Sequence, residues 1–240
     1  MNNTLHAGGY LRMSCAELLA ATGLALPQLD VLRPSWDSLP ADPWLRDGGR
    51  YRYRRHSCYV QRLDRHPTTI ALEPAPHRAH WQPTTYNALH GGIERWFEAV
   101  DPSVAAAAGW LKLIGTLGEL FARERPVERW FVEAHQFRID TRQGIGRPTP
   151  EGAHRDGVDF VALILVQRHN VRGGETRVFE AAGDTGVRFT MQQPWSALLL
   201  DDERVIHETT PIQSDAAPGT RDTLVLTYRA AGFLSQGATA

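Results

Sequence analysis

His154 and Asp156 are two residues apart, a spacing that could place two metal ligands together. Residues i and i+2 of an extended strand point to the same side, so an imidazole and a carboxylate would face one space. His207, in the alternating segment 204–210, could supply a second imidazole from another strand. Two imidazoles and one carboxylate are the ligands of mononuclear non-haem iron(II), which keeps its remaining positions open. The alternative is that His154 and Asp156 only cap the end of a strand.

Arg221 follows His207 and opens the segment Arg-Asp-Thr-Leu-Val-Leu-Thr-Tyr. On a strand, Arg221 and Thr223 would share one face, and the leucines and tyrosine that follow would occupy the other. A buried arginine needs an anionic partner, because an unpaired interior charge is costly, and its guanidinium matches a carboxylate bidentately. The pattern therefore predicts a site for a carboxylate ligand. The alternative is a solvated arginine at the start of a core strand.

Gln136 and Arg138 would share a face of the strand that we predict over residues 130–139. We predict that they contact the substrate, with Arg138 pairing a substrate carboxylate. An exposed arginine beside a strand-edge glutamine is the alternative. Asp159 lies close to Asp156 and is a candidate for orienting the metal ligands, since such ligands are usually held by neighbouring polar groups.

The segment 77–92 is polar and rich in turn-forming residues. Within it, Tyr86 and Asn87 are candidates for substrate contacts, and an ordinary loop is the alternative. His77 and His80 have a spacing that would suit a metal site on a helix. Prolines surround them, so a stable helix is not expected and a surface loop is the favoured interpretation.

Short strands dominate the second half of the chain, where breakers such as Gly-Gly and Gln-Pro separate apolar or alternating runs. Residues 160–166 are apolar at every position, which is typical of a strand covered on both faces. Gly173 and Gly174 predict positive φ angles and a tight chain reversal. The predicted strands are 130–139, 158–166, 175–180, 187–191, 197–200, 204–208 and 223–229.

The first half has a different pattern. Helical periodicity predicts helices over 10–24, with Ser14 as a candidate N-cap, and over 93–100 and 104–124. Residues 50–63 alternate as a strand would. Many short strands after a helical lead indicate a mainly β fold with N-terminal helices, of the jelly-roll kind. We predict one domain over 1–240, in which 1–125 support a β core over 126–230 that carries the site.

The composition narrows the class of protein. Of the 240 residues, 42% are hydrophobic and 22% charged, as in globular domains, and the net charge of -1 predicts neither nucleic acid nor an anionic membrane as a partner. No apolar run is long enough to span a bilayer, and no basic region marks a signal peptide. Cys15 and Cys58 form neither a disulfide framework nor a CxxC pair. We therefore expect a cytoplasmic protein without a thiolate zinc site.

The order of these motifs resembles a known family. His-x-Asp, an apolar strand, Gly-Gly-Glu-Thr, a distal His and Arg-x-Thr occur in this order in the double-stranded β-helix oxygenases that use iron and 2-oxoglutarate. More closely, segments 134–138, 150–160 and 199–207 resemble the bacterial free amino-acid hydroxylases typified by L-isoleucine 4-hydroxylase.

The resemblance implies iron held by His154, Asp156 and His207. It also implies that Arg221 binds 2-oxoglutarate, with Thr223 as a helper. Because Asp156 is retained, the resemblance does not extend to halogenases, which leave that ligand position vacant for halide.

The resulting prediction is an enzyme that uses Fe(2+), 2-oxoglutarate and O2 to hydroxylate an unactivated C–H bond, with release of succinate and CO2. The expected partner is a small molecule, a free aliphatic L-amino acid, and a homodimer is an open alternative to a monomer. Three other functions remain open at this point. They are the same chemistry on a natural-product or carrier-tethered intermediate, a cupin-like metal protein that is not an oxygenase, and a binding-only relative.

Overall fold

The computed structural model of the chain describes residues 5–63 and 71–236, which form five α-helices and twelve strands. The helices are α1 (Leu5–Gly8), α2 (Cys15–Thr22), α3 (Leu26–Asp30), a 3₁₀ helix (Arg33–Ser38), α4 (Pro102–Ala105) and α5 (Ala108–Glu124). The strands are β1 (Tyr10–Met13), β2 (Arg52–Arg62), β3 (Ala71–Pro74), β4 (Arg129–Asp140), β5 (Phe160–His169), β6 (Val171–Gly173), β7 (Glu175–Glu180), β8 (Gly186–Thr190), β9 (Ser196–Asp201), β10 (Val205–Thr209), β11 (Ile212–Ser214) and β12 (Thr220–Arg229).

The strands form one large sheet and two small ones. The large sheet has the order β1-β9-β5-β12-β4-β2-β3, and the small sheets are β10-β7-β8 and β11-β6. Neighbouring strands in all three are antiparallel. The predicted fold, mainly β of the jelly-roll kind with N-terminal helices, is confirmed. The first half of the chain nevertheless supplies β1, β2 and β3 to the large sheet.

Strand β5 shows how the layers are held together. Leu163 and Leu165 pack with Val178 of β7 and Val205 of β10, so this face of β5 meets the three-stranded sheet. The alternate residues of β5 belong to a second apolar cluster that includes α5. Both faces are therefore covered, which explains why residues 160–166 are apolar throughout, as predicted.

Helix α5 covers the outer face of the large sheet. Its buried residues recur every three or four positions, among them Trp110, Leu113, Leu117 and Phe121. The hydroxyl of Tyr228, on β12, donates a hydrogen bond of 2.8 Å to a carbonyl of this helix. The predicted helix over 104–124 is thus confirmed for its main part, and its first residues form the separate short helix α4.

Ser14 caps α2 as predicted. Its hydroxyl accepts from the Glu17 amide while the Glu17 carboxylate accepts from the Ser14 amide. The helix begins only after this cap, so the prediction of helix from Tyr10 is wrong for the first four residues. They form β1, which pairs with β9 from Tyr10 to Met13. Residues 10–13 are extended because they pair with the edge of β9. The local pattern of apolar residues does not reveal such pairing with a distant strand.

No helix forms over 93–100, where one was predicted. Arg95 instead pairs with His80 as an isolated antiparallel bridge, and the Glu98 carbonyl accepts from the His56 amide of β2 at 2.9 Å. These hydrogen bonds to distant segments replace the local helical bonds that the sequence pattern suggested. The irregular path brings Arg95 against the large sheet.

Gly173 and Gly174 have the predicted positive φ angles of 79° and 70°. The predicted chain reversal is wrong, because β6 and β7 do not pair with each other: β6 pairs with β11 and β7 with β10. The glycines carry the chain from one small sheet to the next. A Cβ on Gly173 would lie 2.4 Å from the Pro211 carbonyl oxygen, so a side chain does not fit there.

All seven strands predicted in the second half are present, with ends shifted by a few residues, and β2 covers most of the predicted strand over 50–63. The short strands β3, β6 and β11 were not predicted. Among the described residues no single helix is long and apolar enough to cross a membrane. Only the sharply bent pair Cys15–Thr22 and Leu26–Ser38 reaches that length and composition.

Candidate functional site

His154 and His207 lie directly opposite each other. Each backbone N–H donates to the other's carbonyl, at 3.0 and 2.9 Å, and the two rings are 4.6 Å apart. The Asp156 carboxylate lies beside both, with Oδ1 3.9 Å from His154 Nε2 and Oδ2 3.7 Å from His207 Nε2. One ligand atom from each residue lies within 4.8 Å of the others. The structure thus brings together the three predicted residues in an arrangement that can hold a metal ion.

A tight loop orients His154. Gly152 has a φ of 81°, and its carbonyl accepts a 2.9 Å hydrogen bond from His154 Nδ1. Because a carbonyl can only accept, Nδ1 carries the proton and Nε2 presents its lone pair toward Asp156 and His207. Burial acts to lower the pKa of His154, but the Asp156 and Glu151 carboxylates outweigh it and raise this pKa. His207 is more deeply buried, which lowers its pKa to about 3 and keeps its ring neutral.

Asp202 holds the backbone around Asp156. Its carboxylate accepts from the amides of Asp156, Gly157 and Val158 at 3.0, 2.8 and 3.1 Å. Burial and the adjacent Asp156 carboxylate raise the pKa of Asp202 to about 7, against the lowering effect of these donors. Gln82 adds a 3.1 Å hydrogen bond to Asp156 Oδ1.

Asp159 does not take the orienting role that we predicted. It forms an ion pair with Arg125 and accepts from the Ala230 amide at 2.8 Å. Asp202 occupies the position expected of Asp159, and it lies inside the segment 199–207 that carried the family resemblance. The prediction of an aspartate that supports the metal ligands is thus correct in kind, but the residue is Asp202 and not Asp159.

The three residues open into a cavity between the large sheet and the segments packed on it. The space inside it is about 800 Å³ when the open solvent at its mouth is included. Polar and charged groups line one part of the wall. Phe137, Ile139, Leu163 and Val225 give the wall an apolar part.

Arg221 lines this cavity together with Thr223, as the strand pattern predicted. Its side chain is only 2% exposed, and Nε and Nη2 have no hydrogen-bond partner among the described residues. Burial, together with the smaller effect of nearby Arg168, lowers the pKa of Arg221 to about 10. Gly174 lies beside this side chain, since a Cβ there would be 3.6 Å from Arg221 Cδ, an ordinary contact distance, and 3.0 Å from Ile212 Cγ2.

Gln136 and Arg138 point away from the cavity, which corrects the predicted direction of both. Gln136 Nε2 donates to Ser35 Oγ at 2.8 Å, while Arg138 pairs with Asp222 at 2.7 Å and with Asp37 at 2.8 Å. The alternate residues of β4, among them His135 and Phe137, face the cavity instead. A shift of one residue reverses every side chain on a strand, and both faces of β4 carry polar residues.

Asn87 lines the cavity and is buried, with its amide nitrogen donating to Gln82 Oε1 at 3.2 Å. Its side-chain oxygen accepts from the His90 amide at 2.7 Å. Asn87 therefore holds Gln82, which in turn contacts Asp156. Tyr86 is not part of the cavity wall; its ring lies against Gly157, where a Cβ would come within 2.4 Å of it.

Five basic residues of the wall were not predicted: Arg52, Arg54, Arg95, His80 and His135. His80 is nearly buried, so its assignment to a surface loop is wrong. Arg52 has a partner in Asp42 at 2.7 Å. Arg95 is 2% exposed and donates to Gln82 Oε1 at 2.9 Å, with no carboxylate paired to it in the described part of the chain. Arg52 and Arg54 lie two residues apart on β2, within the segment 50–63 that alternates as a strand would.

Comparisons with known proteins agree with this site. The sequence profile of the 2OG-Fe dioxygenase family matches residues 33–227. No curated protein matches the chain significantly. The crystal structure of a bsmA homolog (Mpe_A2762) from Methylobium petroleophilum PM1 is similar at 56% identity, over 96% of this chain and 92% of that one, with a TM-score of 0.90.

More distant structures share the fold. IDO from Bacillus thuringiensis is 17% identical over 94% of this chain and 92% of that one, with a TM-score of 0.73. The Fe(II)/(alpha)ketoglutarate-dependent dioxygenase TqaL is 17% identical over 94% and 84%, with a TM-score of 0.66. The profile match covers most of the chain. The chain therefore belongs to the 2OG-Fe dioxygenase family, and its cofactors are Fe(2+), 2-oxoglutarate and O2.

Proposed function

We propose that His154, Asp156 and His207 hold the iron and that the chain hydroxylates a small free amino acid. The donor set supports the first part, because two imidazoles and a carboxylate on one side of the ion would suit iron(II) and leave positions for 2-oxoglutarate and O2. The hydrogen bond from His154 to the Gly152 carbonyl leaves Nε2 free to bind the metal. Asp202 fixes the turn that carries Asp156.

Arg221 is the observation that carries the proposal. A fully buried guanidinium whose Nε and Nη2 find no partner in residues 5–63 and 71–236 is costly unless a ligand supplies the missing acceptors. Asp222 beside it points to the other face, where Arg138 and Gln167 bind it. The 5-carboxylate of 2-oxoglutarate, at the end of the molecule away from the metal, has the charge and the planar shape for a bidentate pair with Arg221. Thr223, next on the same face of β12, offers a further hydroxyl.

The substrate is proposed to be an aliphatic L-amino acid. Arg95 is a second buried cation of the cavity without a carboxylate partner, so it suits an acidic group of the substrate. Leu163 and Val225 provide an apolar wall for an aliphatic side chain.

When bound, iron(II) supplies the activation of O2 that couples oxidation of 2-oxoglutarate to succinate and CO2 with hydroxylation of a C–H bond. The chain supplies position and shielding. Arg221 would fix the direction of 2-oxoglutarate, Arg95 would fix the substrate, and the layers of the jelly roll exclude water. A cytoplasmic location and a homodimer stay predictions.

The test is substrate-dependent succinate release. Anaerobic protein loaded with Fe(II) and 2-oxoglutarate is mixed with air in the presence of each of the twenty L-amino acids, and His154→Ala is the control. Succinate stimulated by one or two aliphatic amino acids and absent in the control is the expected result. Equal succinate with and without every amino acid would refute the amino-acid substrate and favour a natural-product or carrier-tethered one.

A further inference from the structure

Four side chains form a buried cluster behind the cavity wall, apart from the proposed iron site. Glu133 Oε2 lies 3.1 Å from His56 Nε2, 2.6 Å from His80 Nδ1 and 3.5 Å from His135 Nε2. Three imidazoles and a carboxylate could bind a second metal ion. They could equally form a hydrogen-bonded network around one carboxylate, and the two interpretations require different proton positions.

The hydrogen bond of Arg54 distinguishes the metal site from the hydrogen-bonded network. Its Nη2 lies 2.7 Å from His135 Nδ1, and both residues are buried. A guanidinium has no lone pair with which to accept, so it must donate and His135 Nδ1 must be the unprotonated nitrogen. The proton of the neutral His135 ring is then on Nε2, which faces Glu133. A protonated nitrogen cannot bind a metal, so His135 is a hydrogen-bond donor to Glu133 and the cluster lacks one of its four ligands.

The same reasoning fixes His80. Burial acts to raise the pKa of Glu133, but the surrounding histidines outweigh it and lower this pKa, so Glu133 is an ionised acceptor. His80 Nδ1, at 2.6 Å, therefore donates to it. Burial lowers the pKa of His80 to about 4, so the ring is neutral. A neutral ring with its proton on Nδ1 has an unprotonated Nε2 that can accept a hydrogen bond. His80 is part of the cavity wall, so this acceptor is available to a ligand.

His80 and Arg95 are neighbours on that wall. Their backbones form an antiparallel bridge, with N–H to carbonyl distances of 2.9 and 3.0 Å in the two directions. Side chains of directly paired residues lie on the same face, and both of these line the cavity. The wall thus presents an unprotonated imidazole nitrogen beside a guanidinium that no carboxylate of the described residues pairs. An α-amino acid carries a donor, its ammonium group, and an anion, its carboxylate, on the same carbon atom.

We propose that His80 and Arg95 together bind the charged head of the substrate, with His80 Nε2 accepting from the ammonium group and Arg95 pairing the carboxylate. Glu133, His135 and Arg54 are positioning residues that hold the His80 proton on Nδ1. This inference rests on the proposed amino-acid substrate. Glu151, whose Oε2 is buried without a partner among the described residues, is the rival acceptor for the ammonium.

The proton positions can be measured without substrate. Full-length protein with ¹⁵N-labelled histidine and zinc in place of iron gives the tautomer of each ring from long-range ¹H–¹⁵N spectra, with single His→Gln variants for assignment. We expect the proton of His80 on Nδ1 and that of His135 on Nε2. A proton on Nε2 of His80 would overturn the proposal.

Metal content tests the competing interpretation. We expect one zinc ion per chain in the wild type and none in His207→Ala. An ion that survives in His207→Ala and disappears when Glu133→Gln is added would place a second metal in the cluster and refute the proposal.

Ligand binding tests the role of His80. Dissociation constants are measured for valine, leucine and isoleucine and for the matching acids that lack the amine, 3-methylbutanoate, 4-methylpentanoate and 3-methylpentanoate. In the wild type, loss of the amine should weaken binding by roughly tenfold to a hundredfold, the range for a hydrogen bond to a charged group. His80→Phe should remove that difference by weakening the amino acid alone. His80→Gln, which keeps an acceptor, should retain part of it.

Three outcomes count against the proposal. The difference could persist in His80→Phe, or it could disappear in Glu151→Gln instead, which would assign the ammonium to Glu151. Alternatively, none of the three amino acids binds. If 2-oxoglutarate is still converted to succinate without substrate, the oxygenase assignment stands and only the amino-acid head site falls. Far-UV circular dichroism of each variant separates loss of binding from loss of folding.

Discussion

Replacement of Arg221 by methionine separates binding of 2-oxoglutarate from stability of the fold. Arg221 is 2% exposed, and its Nε and Nη2 have no hydrogen-bond partner among the described residues. Without a ligand, burial of this charge therefore destabilises the folded protein, because no ion pair offsets the loss of hydration. With 2-oxoglutarate bound, it is the proposed partner of a buried carboxylate. Removing one member of a buried ion pair costs about 3–5 kcal/mol, which corresponds to binding weaker by roughly a hundredfold to a few thousandfold.

The two effects of Arg221→Met have opposite signs, and thermal unfolding measures both. Without 2-oxoglutarate the variant should unfold at the same temperature as the wild type or higher. At 2-oxoglutarate concentrations of about 100 times Kd, the wild type gains about 2.7 kcal/mol, or roughly 5–10 °C for a chain of this size, and the variant should gain almost nothing. Titration calorimetry with Zn(II)-loaded protein gives the affinities directly.

Arg138→Met is the matched control, because Arg138 is an arginine on the neighbouring strand that is paired with Asp222 and lies outside the cavity. It should lower stability and leave the affinity for 2-oxoglutarate unchanged. The reasoning is refuted if Arg221→Met destabilises the ligand-free protein by several kcal/mol while 2-oxoglutarate still binds. Arg221 would then be a structural residue with a partner that we have not identified.

Three further predictions concern the site and its supports. Asp202→Asn should weaken zinc or iron binding by roughly ten- to a hundredfold in a competition titration, since it disturbs the turn that carries Asp156; unchanged affinity would contradict this role. Gly174→Val should impair 2-oxoglutarate binding through strain at a φ of 70° and crowding of Ile212 next to the Arg221 side chain, whereas Gly144→Val, also at positive φ but with open space around it, should cost stability alone. The free energy of unfolding should fall by up to about 3 kcal/mol from pH 6.5 to 4 through His80, whose folded pKa of about 4 lies below the unfolded value, so the unfolded chain binds the proton first. His80→Gln should show a shallower slope in urea titrations at these pH values, and an unchanged slope would contradict the assignment. The charged and titratable groups around His80 are Glu133, His135, His56, Arg54 and Arg95.

Local patterns were enough to predict the strands of the second half and the convergence of His154, Asp156 and His207. Alternation and glycine breakers act over a few residues, and a strand places i and i+2 together wherever the strand is. The two faces of β12 were predicted for the same reason. Its leucines face the α5 side, and Arg221 and Thr223 face the cavity.

Strand β4 shows where such reasoning stops. Polar residues occupy both of its faces, with Glu133 and His135 on the cavity side and Gln136 and Arg138 on the other. The alternation therefore does not say which face is the site. Val132 and Ala134, which share a face with Gln136, pack in the cluster that contains α5. The packing of α5 on that face therefore determines which face of β4 lines the cavity.

His80 and Arg95 were missed for a different reason. They lie in segments without regular structure, where no periodicity predicts the direction of a side chain. Their positions follow from a backbone bridge between two irregular segments and from the hydrogen bond of His80 to Glu133 on β4. Contacts of this kind form only in the completed fold. His80 and Arg95, which are proposed to bind the substrate, were therefore harder to predict from the sequence than the proposed iron ligands.

Succinate production tests the central claim most directly. Wild-type protein, His154→Ala and His207→Ala are each loaded anaerobically with one equivalent of Fe(II) and an excess of 2-oxoglutarate, exposed to air, and assayed for bound iron and succinate. We predict iron binding and succinate formation in the wild type and the loss of both in the two variants. Succinate formation that survives in His154→Ala or His207→Ala would contradict the assignment of these histidines as iron ligands.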